Sequence, residues 1–383
     1  MSNYVIYKDQ ALLDANTPTT HAIVIGVGKY SYLNEGDERL TKKHGDLGQL
    51  SSPPESAREI ATWLLDDFNN PDKPLATVSL LISENDGAVE FTHPKLAGPV
   101  KPEEANISNI KKAIREWKGF GDRSEENMTI FFFCGHGVAR GLVGLTLLLS
   151  DYGESDDMPM EGAIDFAAMQ RGMAQCKASE QLYFVDACRV VSDIATRTTE
   201  TGDSIIQDDI NRPYSSEWMY AIIFSTLAGK KAYGRKNQPS FYTEELIKGL
   251  KGAGSHNRSG DGKWRVNTNV LSAAINNGLL KKGKRLAPPM ANMATFDFHE
   301  LKHKPVVPVT IYCKDRSENS LAIFTCIRDG QKVAERAPEP KDWNTDLVYG
   351  RYDFIADIDT RHGERKDESI IPPYHNIEIE VVP

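Results

Sequence analysis

The amino-acid sequence predicts an α/β domain followed by an all-β sandwich, and three observations support this fold class. Between about residues 20 and 301, short apolar runs alternate with helical patterns, which is typical of a mainly parallel sheet flanked by helices. After the PVVP segment at residues 305–308 the helical period disappears, and alternating strands are separated by turns. Since 383 residues exceed the usual size of one domain, we predict an α/β domain over residues 1–304 and a sandwich over 305–383.

Each predicted element of the first domain rests on a local pattern. Nearly continuous hydrophobicity suits strands buried on both faces, and it predicts strands at residues 22–27, 78–82, 128–134, 182–185 and 221–225. The first helix is predicted to begin with Ser52 as its cap, Pro53 in its first turn and Glu55 completing a capping box. Apolar stripes predict further helices at residues 107–117, 164–174, 240–250 and 268–280.

The C-terminal region has the period-2 alternation of half-buried strands, at residues 309–313, 321–327, 352–358 and 377–382. Its phrase LVYGRYDFIADI, in which a glycine turn leads into an alternating strand, resembles Ig-like or transthyretin-like modules attached to many enzymes. We expect this module to recruit a partner or substrate, or to restrain the first domain.

Composition limits the classes of function. With 40% hydrophobic residues and no apolar run near the roughly 18 residues of a membrane span, the chain is predicted to be soluble. Its net charge of −9 opposes nonspecific binding of nucleic acid and favours approach of a cationic peptide. The N-terminus lacks the pattern of a secretory signal, so we expect a reducing, cytoplasmic location. The five irregularly spaced cysteines predict free thiols, with no structural metal and no cofactor.

Polar residues follow two of the predicted strands. MTIFFFCGHG places Cys134 and His136 at the carboxyl end of one strand, and QLYFVDACR places Asp186 and Cys188 at the carboxyl end of another. That edge is where an α/β sheet usually forms its active site. Because residues two apart share a side of a strand, the members of each pair should point the same way, and the two edges can form one cleft.

A cysteine and a histidine in one cleft suit nucleophilic catalysis. The imidazole of His136 can take the proton of the Cys188 thiol and return it to a leaving amine. The backbone N–H groups of Gly137 and Cys188 are candidates for stabilising the oxyanion of the intermediate. Taken alone, the glycines beside His136 also fit a tight turn, and Cys188 also fits a buried structural thiol.

Together, the two motifs resemble those of the caspase-like peptidases of clan CD, which include metacaspases and bacterial caspase-family proteins. One apolar strand ends in HG and a second in DAC, and His136 lies 52 residues before Cys188. Caspases have their histidine about 50 residues upstream of the cysteine. The stretches HAIVIGVGKY, LTLLLSDYG, AIIFSTLAGKKAYG and SFYTEELIKGL also match the family layout, so the resemblance covers about residues 20–300.

The resemblance implies a cysteine endopeptidase with a catalytic dyad of His136 and Cys188. It also implies an oxyanion hole of the Gly137 and Cys188 amides and an S1 pocket with Asp186 at its floor. Metacaspase-like members carry aspartate two residues before the nucleophile and cut after Arg or Lys, whereas members that cut after aspartate carry glutamine there. A carboxylate in the pocket favours a cationic P1 side chain. The alternative is that Asp186 only hydrogen-bonds a neighbouring loop.

Two positions depart from the family pattern. LSSPPESA stands where metacaspases typically carry a GCVNDA-like stretch whose aspartate also lines S1, and Ser56 takes the place of that aspartate. Glu55, beside it, is a further candidate for lining the same pocket. Cys134 stands where metacaspases often have serine, and we expect it to line the pocket wall.

Residues 191–216 are polar and follow the candidate nucleophile, where caspase-like enzymes hold the linker that is cut during activation. Arg197 and Arg212 both suit self-cleavage by a protease that prefers a basic P1 residue, and an ordinary surface loop is the alternative. Acidic residues around 151–157 suit either calcium activation, as in some metacaspases, or a solvated loop.

We therefore expect a regulated cytoplasmic peptidase that cuts protein substrates after a basic P1 residue. Activation would come from linker cleavage or from a regulatory protein, and the family resemblance suggests a bacterial role in stress or antiviral defence. We expect neither nucleic acid nor a membrane as a partner. Two alternatives stay open, namely a non-catalytic scaffold protein on a caspase fold and a protease of another P1 specificity.

Overall fold

The computed structural model describes residues 4–85, 87, 89–140, 144–158, 160–187, 201–206, 218–225, 235–284 and 294–382. The chain divides into two compact units, one formed by Met1–Ile247 with Leu279–Thr295 and the other by Lys248–Gly278 with Phe296–Pro383. The second unit contains the predicted sandwich segment together with residues from before it. The exact boundary predicted after residue 304 stays a prediction.

A six-stranded sheet forms the centre of the first unit and confirms all five predicted strands. Its members are β1 (Val5–Lys8), β2 (Thr20–Val27), β3 (Leu75–Ser83), β4 (Met128–Gly135), β8 (Glu180–Ala187) and β9 (Met219–Phe224). They lie in the order β1-β3-β2-β4-β8-β9, all parallel except the edge strand β1. A smaller antiparallel sheet consists of β5 (Gly137–Arg140), β6 (Gly144–Leu148) and β7 (Ala163–Asp165).

The helices of this unit differ from prediction mainly at their ends. They are α1 (Gln10–Asp14), α2 (Ser52–Asp66), α3 (Ile107–Gly121), α4 (Phe166–Met173) and α5 (Phe241–Lys248). The helix predicted over residues 164–174 begins later, because its first residues form β7 and Asp165 caps α4 by accepting a hydrogen bond from the Ala168 amide at 2.8 Å. The helix predicted over 240–250 ends early in a π-helical turn, Gly249–Ala253.

The predicted capping box at the start of α2 is wrong. Ser51 is the N-cap, and its side chain makes no capping hydrogen bond. The Ser52 hydroxyl instead donates to the carbonyl of Arg235 and accepts from the amide of the same residue, both over 2.5 Å. Glu55 lies 3.5 Å from Arg58, one turn further along the helix. The hydroxyl that the local sequence assigns to the helix cap therefore forms its hydrogen bonds with a residue far along the chain.

Close packing brings the start of α2 to the carboxyl end of β2. A Cβ atom on Gly26 would lie 2.6 Å from the Pro53 carbonyl oxygen and 2.8 Å from the Ala57 Cβ, so only glycine permits this approach. In the neighbouring strand β4, three aromatic side chains are fully buried, namely Phe131, Phe132 and Phe133. Burial of each such side chain contributes about 1.5–3 kcal/mol, which makes β4 a rigid support for the residues at its end.

The second unit confirms the predicted all-β sandwich. One sheet, in the order β16-β13-β19, consists of β13 (Val306–Cys313), β16 (Trp343–Val348) and β19 (His375–Ile379). The other, in the order β15-β14-β17-β18, consists of β14 (Ile323–Arg328), β15 (Gln331–Arg336), β17 (Gly350–Ile358) and β18 (Arg361–Ile370). Ile311 of the first sheet and Phe354 of the second belong to one buried core.

The other elements in the second part of the chain are short. A three-stranded sheet is formed by β10 (Ser255–His256), β11 (Arg265–Asn267) and β12 (Asp297–Glu300). Helix α6 (Thr268–Lys281) and a 3₁₀ turn, Arg316–Ser320, complete the structure. Within the described ranges, every helix is too short or too polar to cross a lipid bilayer.

Candidate active site

The carboxyl ends of β4 and β8 lie side by side and bring two predicted site residues together. Cys134 and Asp186 are Cα partners in the parallel ladder. The Cys134 Sγ donates a hydrogen bond to the Asp186 Oδ2 over 3.3 Å. Both side chains are buried, with 3% and 2% of their surfaces exposed. The two strand ends therefore bring a thiol and a carboxyl group into hydrogen-bond contact.

Asp186 is held by neutral donors. Ser240 donates a short hydrogen bond to the same carboxylate oxygen, and its own Oγ accepts the Thr243 amide over 3.0 Å, which caps α5. Burial raises the pKa of Asp186, while hydrogen bonds from hydroxyl groups and the Cys134 thiol act in the opposite direction. In the described part of the chain, none of these partners is cationic. The carboxyl group thus has hydrogen bonds but no counter-ion there.

Ser56 supports this arrangement from α2. Its Oγ accepts a hydrogen bond from the Ser240 amide over 3.0 Å, and the Ser56 side chain is fully buried. The residue that stands in place of the second family aspartate therefore contacts Asp186 through Ser240. The family resemblance placed Ser56 near the pocket, but the sequence did not predict its hydrogen bond with Ser240.

His136 lies in the connection between β4 and β5, with 7% of its surface exposed. Its backbone N–H donates to the Tyr30 hydroxyl over 2.7 Å, and the two rings lie 4.7 Å apart. Its Nε2 lies 2.7 Å from the carbonyl oxygen of Gly48. Because a carbonyl oxygen only accepts, Nε2 carries the hydrogen, and Nδ1 presents a lone pair.

That lone pair is the chemically important feature of His136. Nδ1 is buried and has no hydrogen-bond partner within the described residues. Burial lowers the pKa of His136 to about 4, against the effect of the hydrogen bond to Gly48. The imidazole is therefore neutral near pH 7 and can accept a proton at Nδ1.

The small sheet holds the residues that follow His136. The His136 carbonyl accepts the Leu148 amide over 3.0 Å, and Gly137 is the Cα partner of Leu147. The first residue of the predicted oxyanion hole is thus part of a strand pair. Cys188, Arg197 and Arg212 lie outside the described residues, so the predicted dyad and the cleavage positions stay predictions.

Sequence reasoning missed three supporting groups, namely the Tyr30 hydroxyl, the Gly48 carbonyl and the Ser240 hydroxyl. Ser240 had a usable pattern, since serine at the start of a predicted helix favours a cap. Tyr30 stood in the first-strand motif, but no pattern links it to His136. Gly48 contributes a backbone carbonyl, which no residue type identifies.

Two of the acidic residues around 151–157 make structural contacts, while Glu154 and Asp157 are exposed in the same loop. Asp151 accepts the Ile107 amide at the start of α3, at 3.0 and 3.2 Å, and burial raises its pKa to about 6. Asp156 accepts the Lys42 amide over 3.0 Å and forms an ion pair with Arg39. The described residues contain no group of three or more His, Cys, Asp and Glu side chains that could hold a metal ion.

Comparison with known proteins identifies the family. The family model of the caspase domain, Peptidase_C14, matches residues 19–298. This chain belongs to the caspase-domain family. The resemblance drawn from the HG and DAC motifs is thereby confirmed.

Two individual proteins are similar to parts of this caspase-domain chain. An uncharacterized protein of Sinorhizobium fredii, y4kE, is 29% identical over 211 residues, which cover 54% of this chain and 58% of the relative. The caspase-domain chain thus spans less than two thirds of that relative's length. The crystal structure of caspase-1 from Spodoptera frugiperda aligns with 68% of this chain and 78% of its own, at 11% identity and a TM-score of 0.40.

Proposed function

We propose that this caspase-domain protein is a cysteine endopeptidase in which Cys188 is the nucleophile and His136 is the acid and base. The buried Nδ1 of His136 carries the proposal, because it is a neutral base with no other described partner. A histidine fixed through Nε2 to the Gly48 carbonyl keeps that tautomer, as a proton acceptor for a thiol requires.

The proposed reaction is peptide-bond hydrolysis through a thioester. Nδ1 takes the Cys188 thiol proton, and the thiolate attacks the scissile carbonyl carbon while the N–H groups of Gly137 and Cys188 stabilise the oxyanion. Collapse of this intermediate breaks the C–N bond, and the imidazolium gives its proton to the leaving amine. His136 then takes a proton from water, whose oxygen attacks the thioester. Cleavage of the C–S bond releases the acid, and the imidazolium returns its proton to the Cys188 thiolate.

We further propose that the substrate carries Arg or Lys at P1, next to Asp186. This carboxyl group is buried beside a thiol and a hydroxyl, without a cation among the described residues. A guanidinium or ammonium group would provide the missing positive charge, whereas an acidic P1 side chain would be repelled. Cys134 would then form part of the pocket wall.

Of the two linker arginines, Arg197 is the better candidate for self-cleavage. Arg212 is followed directly by Pro213, which has no N–H and a fixed φ angle, so it hinders productive binding of the bond to be cut. Arg197 is followed by Thr198, which places no such restriction on the bond. We include in the proposal a cytoplasmic location, activation by cleavage or by a regulatory protein, and a role in bacterial defence.

The deciding experiment compares the wild-type chain with Cys188→Ala and His136→Ala on matched fluorogenic peptides that carry Arg, Lys or Asp at P1. We expect cleavage after Arg and Lys, and a fall of at least about 10³-fold in kcat/KM in both variants. Each reaction is run with and without calcium, and with the linker intact or pre-cut by trypsin. If the wild-type chain cleaves nothing under any of these conditions, it is a non-catalytic scaffold. Preferential cleavage after Asp would disprove the P1 proposal alone.

A further inference from the structure

A short segment from inside the predicted linker is docked on the first unit. The Asp203 amide donates to the Ala163 carbonyl over 2.8 Å, and the Asp165 amide donates to the Asp203 carbonyl over 2.9 Å. Asp203 forms a parallel β-bridge with Ile164. The segment therefore pairs with the edge of β7 through Asp203, by backbone hydrogen bonds of the kind that extended peptides form with exposed sheet edges.

Side chains reinforce this backbone pairing. Ile205 and Ile206 are 4% and 9% exposed and belong to the buried core of the first unit. Asp203 forms an ion pair with Lys111 of α3. A residue of the small sheet, Thr146, adds a hydrogen bond of 2.8 Å from its Oγ1 to the carbonyl of Thr201.

Two glycines show how closely the segment fits its site. A Cβ atom on Gly172 of α4 would lie 2.5 Å from the Ile206 carbonyl oxygen. Gly202, within the segment, has a φ of +97°, and a Cβ there would lie 2.9 Å from the Asp165 amide nitrogen. Both the site and the segment therefore use glycine where they touch.

We propose that residues 201–206 are an anchor that stays docked on β7 and α4 when the linker is cut at Arg197. The choice of Arg197 rests on the proposed function, but the anchor rests on the contacts above. The residues that bind the anchor, in β7, α4, α3 and β6, all precede Arg197 in the sequence, whereas the anchor follows it. The anchor thus joins the two fragments after the cut.

The test uses a Cys188→Ala chain in which residues 194–200 are replaced by the recognition sequence of a site-specific protease. Cutting then does not depend on the chain's own activity, so failure of the proposed function leaves this test intact. The readout is hydrogen exchange at the Asp165 amide, whose acceptor is the Asp203 carbonyl. We expect the exchange rate to stay within about threefold after the cut, because docking persists. A rise of about tenfold or more would overturn the proposal.

Glycine variants calibrate the readout in the uncut chain. Gly172→Ala should speed exchange at Asp165 at least about tenfold, because its Cβ expels the anchor while alanine favours α4 itself. Gly202→Ala should do the same from the other side of the contact. Gly119→Ala, at a position of α3 with open space around the added Cβ, is the matched control. It should leave the exchange rate of the Asp165 amide unchanged. Unchanged exchange in both of the first two variants would show that the anchor is not docked.

Discussion

Replacing Asp186 by asparagine removes one negative charge from a buried site and keeps the size of the side chain. Ser240 and Cys134 donate to the same carboxylate oxygen, and an asparagine carbonyl oxygen can accept both bonds. Asp186→Asn therefore tests the charge of the proposed pocket with little change to its shape.

We expect this variant to lose activity on Arg peptides by roughly 10²- to 10⁴-fold in kcat/KM. Removing one partner of a buried ion pair costs about 3–5 kcal/mol, and each 1.36 kcal/mol is a factor of about ten in rate. The assay pairs each Arg peptide with the same peptide carrying citrulline, which is uncharged and similar in shape. Activity on citrulline peptides should change little between the wild-type chain and the variant.

The same substitution should raise stability near pH 7. Because burial raises the pKa of Asp186 above its ordinary value of 3.8, the stability that this group contributes is lost as pH rises from 3.8 through the folded-state pKa. Asparagine does not titrate, so the variant should be more stable than the wild-type chain at neutral pH, and the difference should shrink in acid. Urea unfolding between about pH 4 and about pH 8 measures this.

Two results would refute the reasoning. Equal losses on Arg and citrulline peptides would show that the Asp186 charge does not select P1. A variant less stable than the wild-type chain at neutral pH would contradict the cost assigned to burying the Asp186 charge.

Three further substitutions test two supports of the site and one loop contact outside it. Tyr30→Phe leaves the buried His136 N–H without its acceptor, so the free energy of unfolding in urea should fall by about 1–3 kcal/mol; no change would contradict that bond. Ser56→Ala removes the acceptor of the Ser240 amide and should raise KM for Arg peptides while kcat changes little; a loss confined to kcat would argue against this role. Burial raises the pKa of Asp151 to about 6, so the contribution of this group to wild-type stability should fall by about 3 kcal/mol as pH rises from 3.8 to about 6. Asp151→Asn should therefore gain stability relative to the wild-type chain over this pH range in unfolding titrations, and identical pH dependence in both chains would refute it.

Sequence patterns succeeded where structure depends on local periodicity. The central strands were predictable because parallel strands covered on both faces are almost uniformly apolar. The same patterns placed Cys134 and Asp186 at neighbouring strand ends, where the structure has them in contact. The start of α2 was mispredicted because the Ser52 hydroxyl bonds to Arg235, 183 residues further along the chain.

By itself, the sequence determined the α/β class followed by a sandwich, the caspase family and the residues at the carboxyl edge of the sheet. These properties follow from periodicity and from short motifs. Only the tertiary structure decided that the Gly48 carbonyl orients His136, that Ser240 holds Asp186, and that residues 201–206 dock on β7. Such pairings join distant parts of the chain through backbone atoms and hydroxyl groups, which no local pattern distinguishes from their many equivalents elsewhere.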